Sequence, residues 1–219
     1  MLKVGISVEV YGVKPKIFTK EWWPYYWDYY KFHTIAVIFV LIIIISTVNE
    51  CKNQTNYDLT LDVITENYIS QDTMDALLNT VCENVEDVTG NEKVEAYINY
   101  IDMNENGDPQ YLQAMHTKMT FEASYTDAFV FLMSKKYADY MSENEIFEPT
   151  SKWTDKESYN GYVIDLTNCQ TLQNIGIDTS DLYLGIISIR ESDKKSKTEE
   201  NLYKQKNGIK FAKFLLNEE

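Results

Sequence analysis

The sequence predicts an α/β domain built on a mainly parallel sheet and preceded by one transmembrane helix. Two observations carry that reading. Thr34 to Val48 is an uncharged run made almost wholly of Ile, Val, Phe, Leu and Ala, preceded by an aromatic block from Trp22 to Phe32. Beyond residue 58 the apolar period alternates between two and 3.6, strand then helix, three times over.

The apolar run comes first. Fifteen helical residues reach about 22 Å, short of the roughly 30 Å hydrocarbon core. Counting from Tyr30 to Val48, with Lys31 snorkelling and Tyr29, Tyr30 and Phe32 at headgroup depth, gives about 28 Å, which suffices. A buried core helix would not need Trp22, Trp23, Tyr25, Tyr26, Trp27, Tyr29 and Tyr30 beside an all-round apolar segment. Pro24 is expected to split any helix in that block. The apolar segment starts too far from Met1 for a cleaved signal, no A-x-A site follows, and Val48-Asn49-Glu50 before Cys51 does not suit lipoprotein cleavage. An uncleaved signal anchor is the expectation. Lys3, Lys14, Lys16, Lys20 and Lys31 precede the span, against Glu50, Lys52 and Asp58 after it, which keeps the N-terminus in the cytoplasm. The expected divisions are residues 1–29, a cytoplasmic tail with its aromatic juxtamembrane block; 30–48, the transmembrane helix; 49–57, a linker; and 58–219, an extracytoplasmic domain.

Within that domain, Asp58 to Thr65 alternates polar and apolar residues and reads as a strand. Met74, Leu77, Leu78, Val81, Cys82 and Val85 follow at helical spacing behind Ser70 as N-cap, predicting a helix over 71–86. Asp87 to Lys93 is a turn, Val94 to Ile101 a second strand, and Asp108 to Ala123 a helix burying Leu112, Met115 and Met119. Asp127 to Met133 reads as a fully buried third strand, and Lys135 to Asn144 as a third helix. That order is the pattern of crossovers on a parallel sheet. After Pro149 the pattern loosens: Tyr162 to Leu166 and Leu182 to Ile189 look like strands, and a final helix near Glu199 to Leu216 carries Ile209, Ala212, Leu215 and Leu216 on its buried side.

Charge bounds the partners. Of the net charge of −14, the first 50 residues hold five Lys against four acids, so the outer segment is the acidic part. Such a surface repels phosphate backbones and excludes nucleic acid. Cys51, Cys82 and Cys169 are an odd number without C-x-x-C spacing; one pair could form outside the cell, and the spacing does not choose it. Cys82 falls on the apolar side of its helix, as a buried free thiol would. Asn53-Gln54-Thr55 matches a glycosylation sequon in form only.

Two places resemble known proteins. The segment from Phe18 through Trp22-Trp23-Pro24-Tyr25-Tyr26-Trp27 to Ile35 resembles the pre-anchor block of small single-pass proteins of Gram-positive bacteria. The outer part, from Asp62-Val63-Ile64-Thr65 through Met74-Asp75-Ala76-Leu77 and Glu86 to Val94 to Asp127-Ala128-Phe129-Val130-Phe131-Leu132, is similar to one lobe of an extracellular (type II) solute-binding protein. The resemblance implies a Rossmann-like three-layer lobe. It covers most of residues 58–150, whereas a clamshell receptor has two lobes and about twice this length; a lone lobe either closes on a partner protein or has lost transport function.

The motifs point away from metal and catalysis. Asp102-Met103-Asn104-Glu105-Asn106-Gly107-Asp108 imitates the start of a calcium loop, but Pro109 and Gln113 fall where the loop needs its later ligands, so no metal is expected. His116 lies mid-helix with no Ser or Cys at a motif spacing, and no G-x-S-x-G, H-E-x-x-H, S-x-x-K or phosphate loop occurs. No enzyme and no cofactor are expected. Trp153 suits a core or edge filler rather than a platform. A small ligand would bind at the carboxyl ends of the parallel strands, where strand-to-helix loops converge. The candidates there are Tyr68 to stack on a sugar ring, Asn67 and Ser134 to hydrogen-bond hydroxyls, and Glu66 to accept from them. The expected function is a membrane-anchored binding or accessory module beside a membrane protein such as a transporter, or alternatively a direct receptor for a small solute such as a sugar.

Overall fold

The computed structural model describes residues 15–52, 56–104, 108–125, 128–189 and 198–218, with backbone alone for 48–52 and 123–125. Lys3, Lys14, the Asn53 sequon, Glu105 to Gly107 of the calcium-like loop, Asp127 and Arg190 lie outside them. The chain divides after Thr55 into two units.

The first unit is one helix, α1, Trp22–Lys52. Its stretch Trp22–Thr47, 26 residues, is long and apolar enough to cross a membrane, and none of it is buried. The helix starts eight residues before the expected Tyr30, and Pro24 does not split it. Pro24 sits in the first turn, where a backbone N–H has no acceptor within the helix, so its missing donor costs nothing there. Spacing of four places the aromatic block in ladders: Trp22 stacks on Tyr26 at 4.8 Å and Tyr26 on Tyr30 at 5.7 Å, with Tyr25 beside Tyr29 at 4.7 Å. The Tyr26 hydroxyl shares a hydrogen bond with Thr34, whose Oγ1 donates to the Tyr30 carbonyl at 3.0 Å.

The second unit carries a five-stranded, mostly parallel sheet. Its elements in chain order are β1 Leu59–Thr65, α2 Gln71–Asn84, β2 Ala96–Asp102, α3 Pro109–Tyr125, β3 Val130–Ser134, α4 Lys135–Glu143, β4 Val163–Asp165, α5 Gln170–Asn174, β5 Leu182–Ile186 and α6 Glu199–Leu215. A short 3-10 turn at Thr150–Lys152 and the five-residue α5 are additions to the sequence reading. The strand order is β2-β1-β3-β5-β4. β1 runs parallel to β2 and to β3, and β5 is antiparallel to both its neighbours. The departure from a parallel sheet is thus confined to β5. No helix long enough to carry the chain back along the sheet separates β4 from β5, since α5 is barely more than a turn.

Alternation along the strands splits the core into two faces. Leu59, Leu61 and Val63 of β1, with Val130 and Leu132 of β3, pack against α2 (Met74, Leu77, Val81) and α6 (Phe211, Ala212, Leu215). Ile64, Phe131 and Met133 face the other way, onto Met119 of α3 and Tyr137, Ala138 and Met141 of α4. Helices therefore cover both faces. The step from β1 to β2 and the step from β2 past β1 to β3 go in opposite directions, so crossovers of one hand must place α2 and α3 on opposite faces.

Helix boundaries follow local chemistry. Ser70 caps α2, its Oγ accepting from the Thr73 N–H at 3.2 Å. Asp87 organises the expected turn by accepting from the Gly90 and Glu92 N–H groups at 2.7 and 2.8 Å, and Gly90 there has φ +75, a conformation open to glycine. The buried side of α6 is rotated from the expected one: Gly208, Phe211, Ala212 and Leu215 are buried, while Ile209 and Leu216 are only half-buried. Gly208 lets α6 come close to the sheet, for a Cβ there would lie 2.8 Å from Val130 Cγ2. On α3, Met119 is buried but Leu112 and Met115 are only half-buried. Cys82, expected to be buried, is half-buried; Cys169 is buried, and both are free thiols.

Candidate functional site

Ile64 of β1 pairs with Met133 of β3, so Thr65 and Ser134, one residue further, end side by side at the carboxyl edge of the sheet. This is where the strand order reverses direction, the position at which open α/β sheets leave a crevice. Glu66, Asn67 and Tyr68 leave β1 there and Ser134 leads into α4, so all four predicted ligand residues come to one end of the sheet.

Two of them are engaged with the protein itself. Glu66 Oε1 lies 3.7 Å from Lys136 Nζ at the start of α4, an exposed ion pair of small energetic weight. Asn67 Nδ2 donates to Asp178 Oδ2 at 3.1 Å, tying the loop after β1 to the loop before β5. The Asn67 backbone is also fixed: its N–H donates to Thr65 Oγ1 at 3.1 Å and its carbonyl accepts from the Tyr100 hydroxyl at 3.0 Å. Ser134 is 6% exposed, and its Oγ neither caps α4 nor finds a hydrogen-bond partner among the described residues. Tyr68, at 76% exposure, is presented to solvent with no polar contact of its own among the described residues.

Residues outside the sequence reading complete this end. Asp181 Oδ2 accepts from the Lys135 N–H at 3.4 Å, placing a carboxylate at the positive end of α4. Lys135 Nζ stands 5.0 Å over the Tyr159 ring, which packs on Tyr183 at 5.1 Å. The half-buried Tyr100 hydroxyl also accepts from the Ile69 N–H at 3.3 Å; burial, then the nearby Asp102 carboxylate, pushes its pKa up to about 12, so it remains a donor. Asp178 and Asp181 belong here because β5 starts where the parallel strands end. The signal was available in the short segment Gln170–Asn174 followed by Gly176, whose φ of +90 marks a sharp reversal.

The other chemistry-bearing groups lie apart. His116 is exposed on α3, its ring 6.3 Å from that of Tyr137. Asp102 Oδ1 accepts from the Asn104 N–H at 3.0 Å and Asp108 Oδ1 from the Gln110 N–H at 2.9 Å, so these two carboxylates of the calcium-like segment serve as local caps. Among the described residues, no three His, Cys, Asp or Glu side chains gather as a metal site would need. Trp153 is buried, as expected, and borders a hollow of about 420 Å³ shared with Thr154, Asp155, Lys213 and Glu218. Thr154 Oγ1 already hydrogen-bonds the Glu218 carboxylate there, at 2.8 and 2.9 Å.

Among the described residues two acids are fully buried, Asp58 at the entrance of β1 and Asp62 within the core. Asp62 of β1 is 0% exposed; its Oδ1 accepts from Asn99 Nδ2 of β2 at 3.1 Å and its Oδ2 has no hydrogen-bond partner among the described residues. Burial pushes its pKa up to about 7, against the lowering effect of the Asn99 hydrogen bond, while Glu122 adds to the rise and Lys118 opposes it. Comparison of the chain with protein-family models, curated proteins and solved structures finds no match.

Proposed function

We propose that this chain is a single-pass membrane protein whose α/β unit works outside the cytoplasm as a binding or accessory module beside a membrane protein such as a transporter, in the manner of one Rossmann-like lobe of a solute-binding protein. The observation that carries the proposal is α1: its 26-residue stretch Trp22–Thr47 is long and apolar enough to cross a bilayer and has no buried residue. The lysines before the span favour a cytoplasmic N-terminus. The lobe reading draws support from the β2-β1-β3 order with helices on both faces.

The crevice supports an accessory role over an enclosing receptor. Glu66 and Asn67 are used to close the carboxyl end of the sheet through Lys136 and Asp178, which leaves Tyr68 as the outward group. The reading is of a binding function without catalysis: His116 sits exposed on α3 rather than beside a nucleophile in a cleft. Purification of the full-length protein from membranes in mild detergent, after cross-linking in intact cells, tests the proposal. A stoichiometric membrane-protein partner is expected; a protein recovered alone, with no cross-linked species, overturns it.

The alternative is direct recognition of a small solute such as a sugar. It is favoured by the buried Ser134 Oγ, unpaired among the described residues, at the same end of the sheet as the exposed Tyr68. Thermal shift over a panel of saccharides and amino acids separates the two, because ligand at a hundredfold its Kd adds about 2.7 kcal/mol.

A further inference from the structure

The buried Asp62 has no part in the crevice and is an expensive group to keep in a core. It shares the sheet face with Ile64 and Phe131, covered by α3 and α4. Its in-register neighbours, Asn99 on β2 and Phe131 on β3, are uncharged, and α4 brings Tyr137, Ala138 and Met141 to this face. Among the described residues, the charges that act on it are Lys118 and Glu122 of α3, both half-buried. An ionised Asp62 would keep one hydrogen bond, from Asn99, and an oxygen with none.

The layer above it is lightly fastened. Among its described side chains α3 buries Met119 only, whereas α2 buries Met74, Leu77 and Val81, and α6 buries six. Water can reach Asp62 at the smallest cost by displacing the element that buries least, on the open β2 side of the sheet.

We propose that ionisation of Asp62 unseats α3, making the β2–α3 side of the domain a proton-controlled surface: closed over a neutral carboxyl, opened to water over a carboxylate. A charge so placed is relieved by hydration, and hydration requires the helix to lift. The competing relief, Lys118 folding inward to pair with the carboxylate, would leave α3 seated.

Hydrogen–deuterium exchange on the full-length protein in lipid nanodiscs decides between them. Rates are corrected for the intrinsic pH dependence of exchange and compared between about pH 5.5 and about pH 8.5. Amides of residues 109–122 are expected to lose about tenfold or more of their protection at the higher pH, with α2 and α6 unchanged, and Asp62→Asn, isosteric and able to bond Asn99, is expected to abolish the response. Two helix-surface variants test the same device without touching the core. Glu122→Gln removes a like charge and moves the opening midpoint to lower pH; Lys118→Met removes an opposite charge and moves it to higher pH. Equal protection of α3 at both pH values overturns the proposal, as does a response that survives Asp62→Asn or a midpoint that neither variant moves.

Discussion

Asn207 of α6 reaches across to the entrance of β1, where its Nδ2 donates to the Asp58 carbonyl at 3.2 Å and to the Glu86 carbonyl at 2.7 Å. Its Oδ1 accepts from the Glu86 N–H at 3.1 Å. The Asp58 carboxylate works outward from the same point, accepting from the N–H groups of Val88, Thr89 and Glu95 at 2.8, 2.9 and 2.8 Å. One side-chain amide and one carboxylate thus satisfy the backbone of the turn between α2 and β2 and bind the last helix to the first strand. Asn207→Ala would strand three backbone groups, the buried Asp58 carbonyl and the half-buried N–H and carbonyl of Glu86. We expect a loss of about 2–4 kcal/mol, read as a lower urea midpoint for unfolding, because each unsatisfied buried group costs about 1–3 kcal/mol and shared partners do not add fully.

Gly185 in the middle of β5 exists for Phe147. A Cβ at that position would lie 2.8 Å from the Phe147 ring, itself buried and edge-on to Phe131 at 5.6 Å. Gly185→Ala is expected to destabilise by about 1–3 kcal/mol through overpacking, and Phe147→Ala by about 3–5 kcal/mol through the cavity it leaves. Combining Gly185→Ala with Phe147→Leu should cost less than the sum of the two single changes, since the smaller side chain vacates the contested space. A strictly additive double-mutant cycle would refute the pairing.

Asp62 fixes the sign of the domain's pH dependence near neutrality. Its carboxyl is held up to about 7 by burial, above the 3.8 of an unfolded aspartate. Between those values the folded chain keeps a proton that the unfolded chain has released, so its contribution to stability is fully present below about pH 4, falls as pH rises, and levels off above about 7. The span is on the order of 4 kcal/mol as an upper bound, at about 1.4 kcal/mol per pH unit. Asp62→Asn should flatten the slope of chemical-denaturation midpoints from pH 5 to 8 and leave the variant more stable than the parent at the upper end.

Much of this was legible in the sequence, and the failures have physical causes. The period of α2 and α4 reports one buried face per helix, which is what periodicity records, and β3 shows as the continuous apolar run of a strand buried on both faces. β5 is buried along its whole length, so nothing in its pattern tells its direction; that is set by the shortness of α5. The face of α6 was misread because Lys204 and Asn207 look solvated yet are buried, Lys204 Nζ donating to Asn56 Oδ1 at 2.8 Å beside its Glu200 pair at 2.9 Å. Pro24 was misread because a proline breaks helix interiors and not first turns. The candidate site was half legible. Strand ends identify Glu66, Asn67, Tyr68 and Ser134, and Lys136 follows at the start of α4, but Asp178 and Asp181, which also engage the site, come from the segment before the antiparallel strand.

The reading of α1 as an anchor makes a quantitative claim. Val40 and Ile43 are exposed in the centre of a helix that has no buried residue in its span. A charged residue at mid-span costs about 2.5–3.5 kcal/mol on the insertion scale. Val40→Asp with Ile43→Asp should therefore move the chain from the membrane pellet to the soluble fraction after lysis, while Thr47→Asp near the end of the span should not. A wild-type chain found in the soluble fraction would refute the anchor.

Ser134→Ala separates stability from binding at the carboxyl end of the sheet. A serine at a helix N-cap usually contributes about 1 kcal/mol through its side-chain hydrogen bond, but Ser134 makes none, and its buried Oγ goes unpaired among the described residues. Removing the hydroxyl deletes a desolvated polar atom and no interaction, so the variant is expected to match or exceed the parent by up to about 1 kcal/mol in urea denaturation. If the hydroxyl is held there for a solute, the same variant loses the thermal shift that the solute gives the parent, and Tyr68→Ala, at an exposed position, loses it too without a change in stability. Destabilisation of Ser134→Ala by more than about 1 kcal/mol would mean that a partner for the hydroxyl exists in solution, and the crevice would then be a closed structural joint between β3 and α4 rather than a place for ligand.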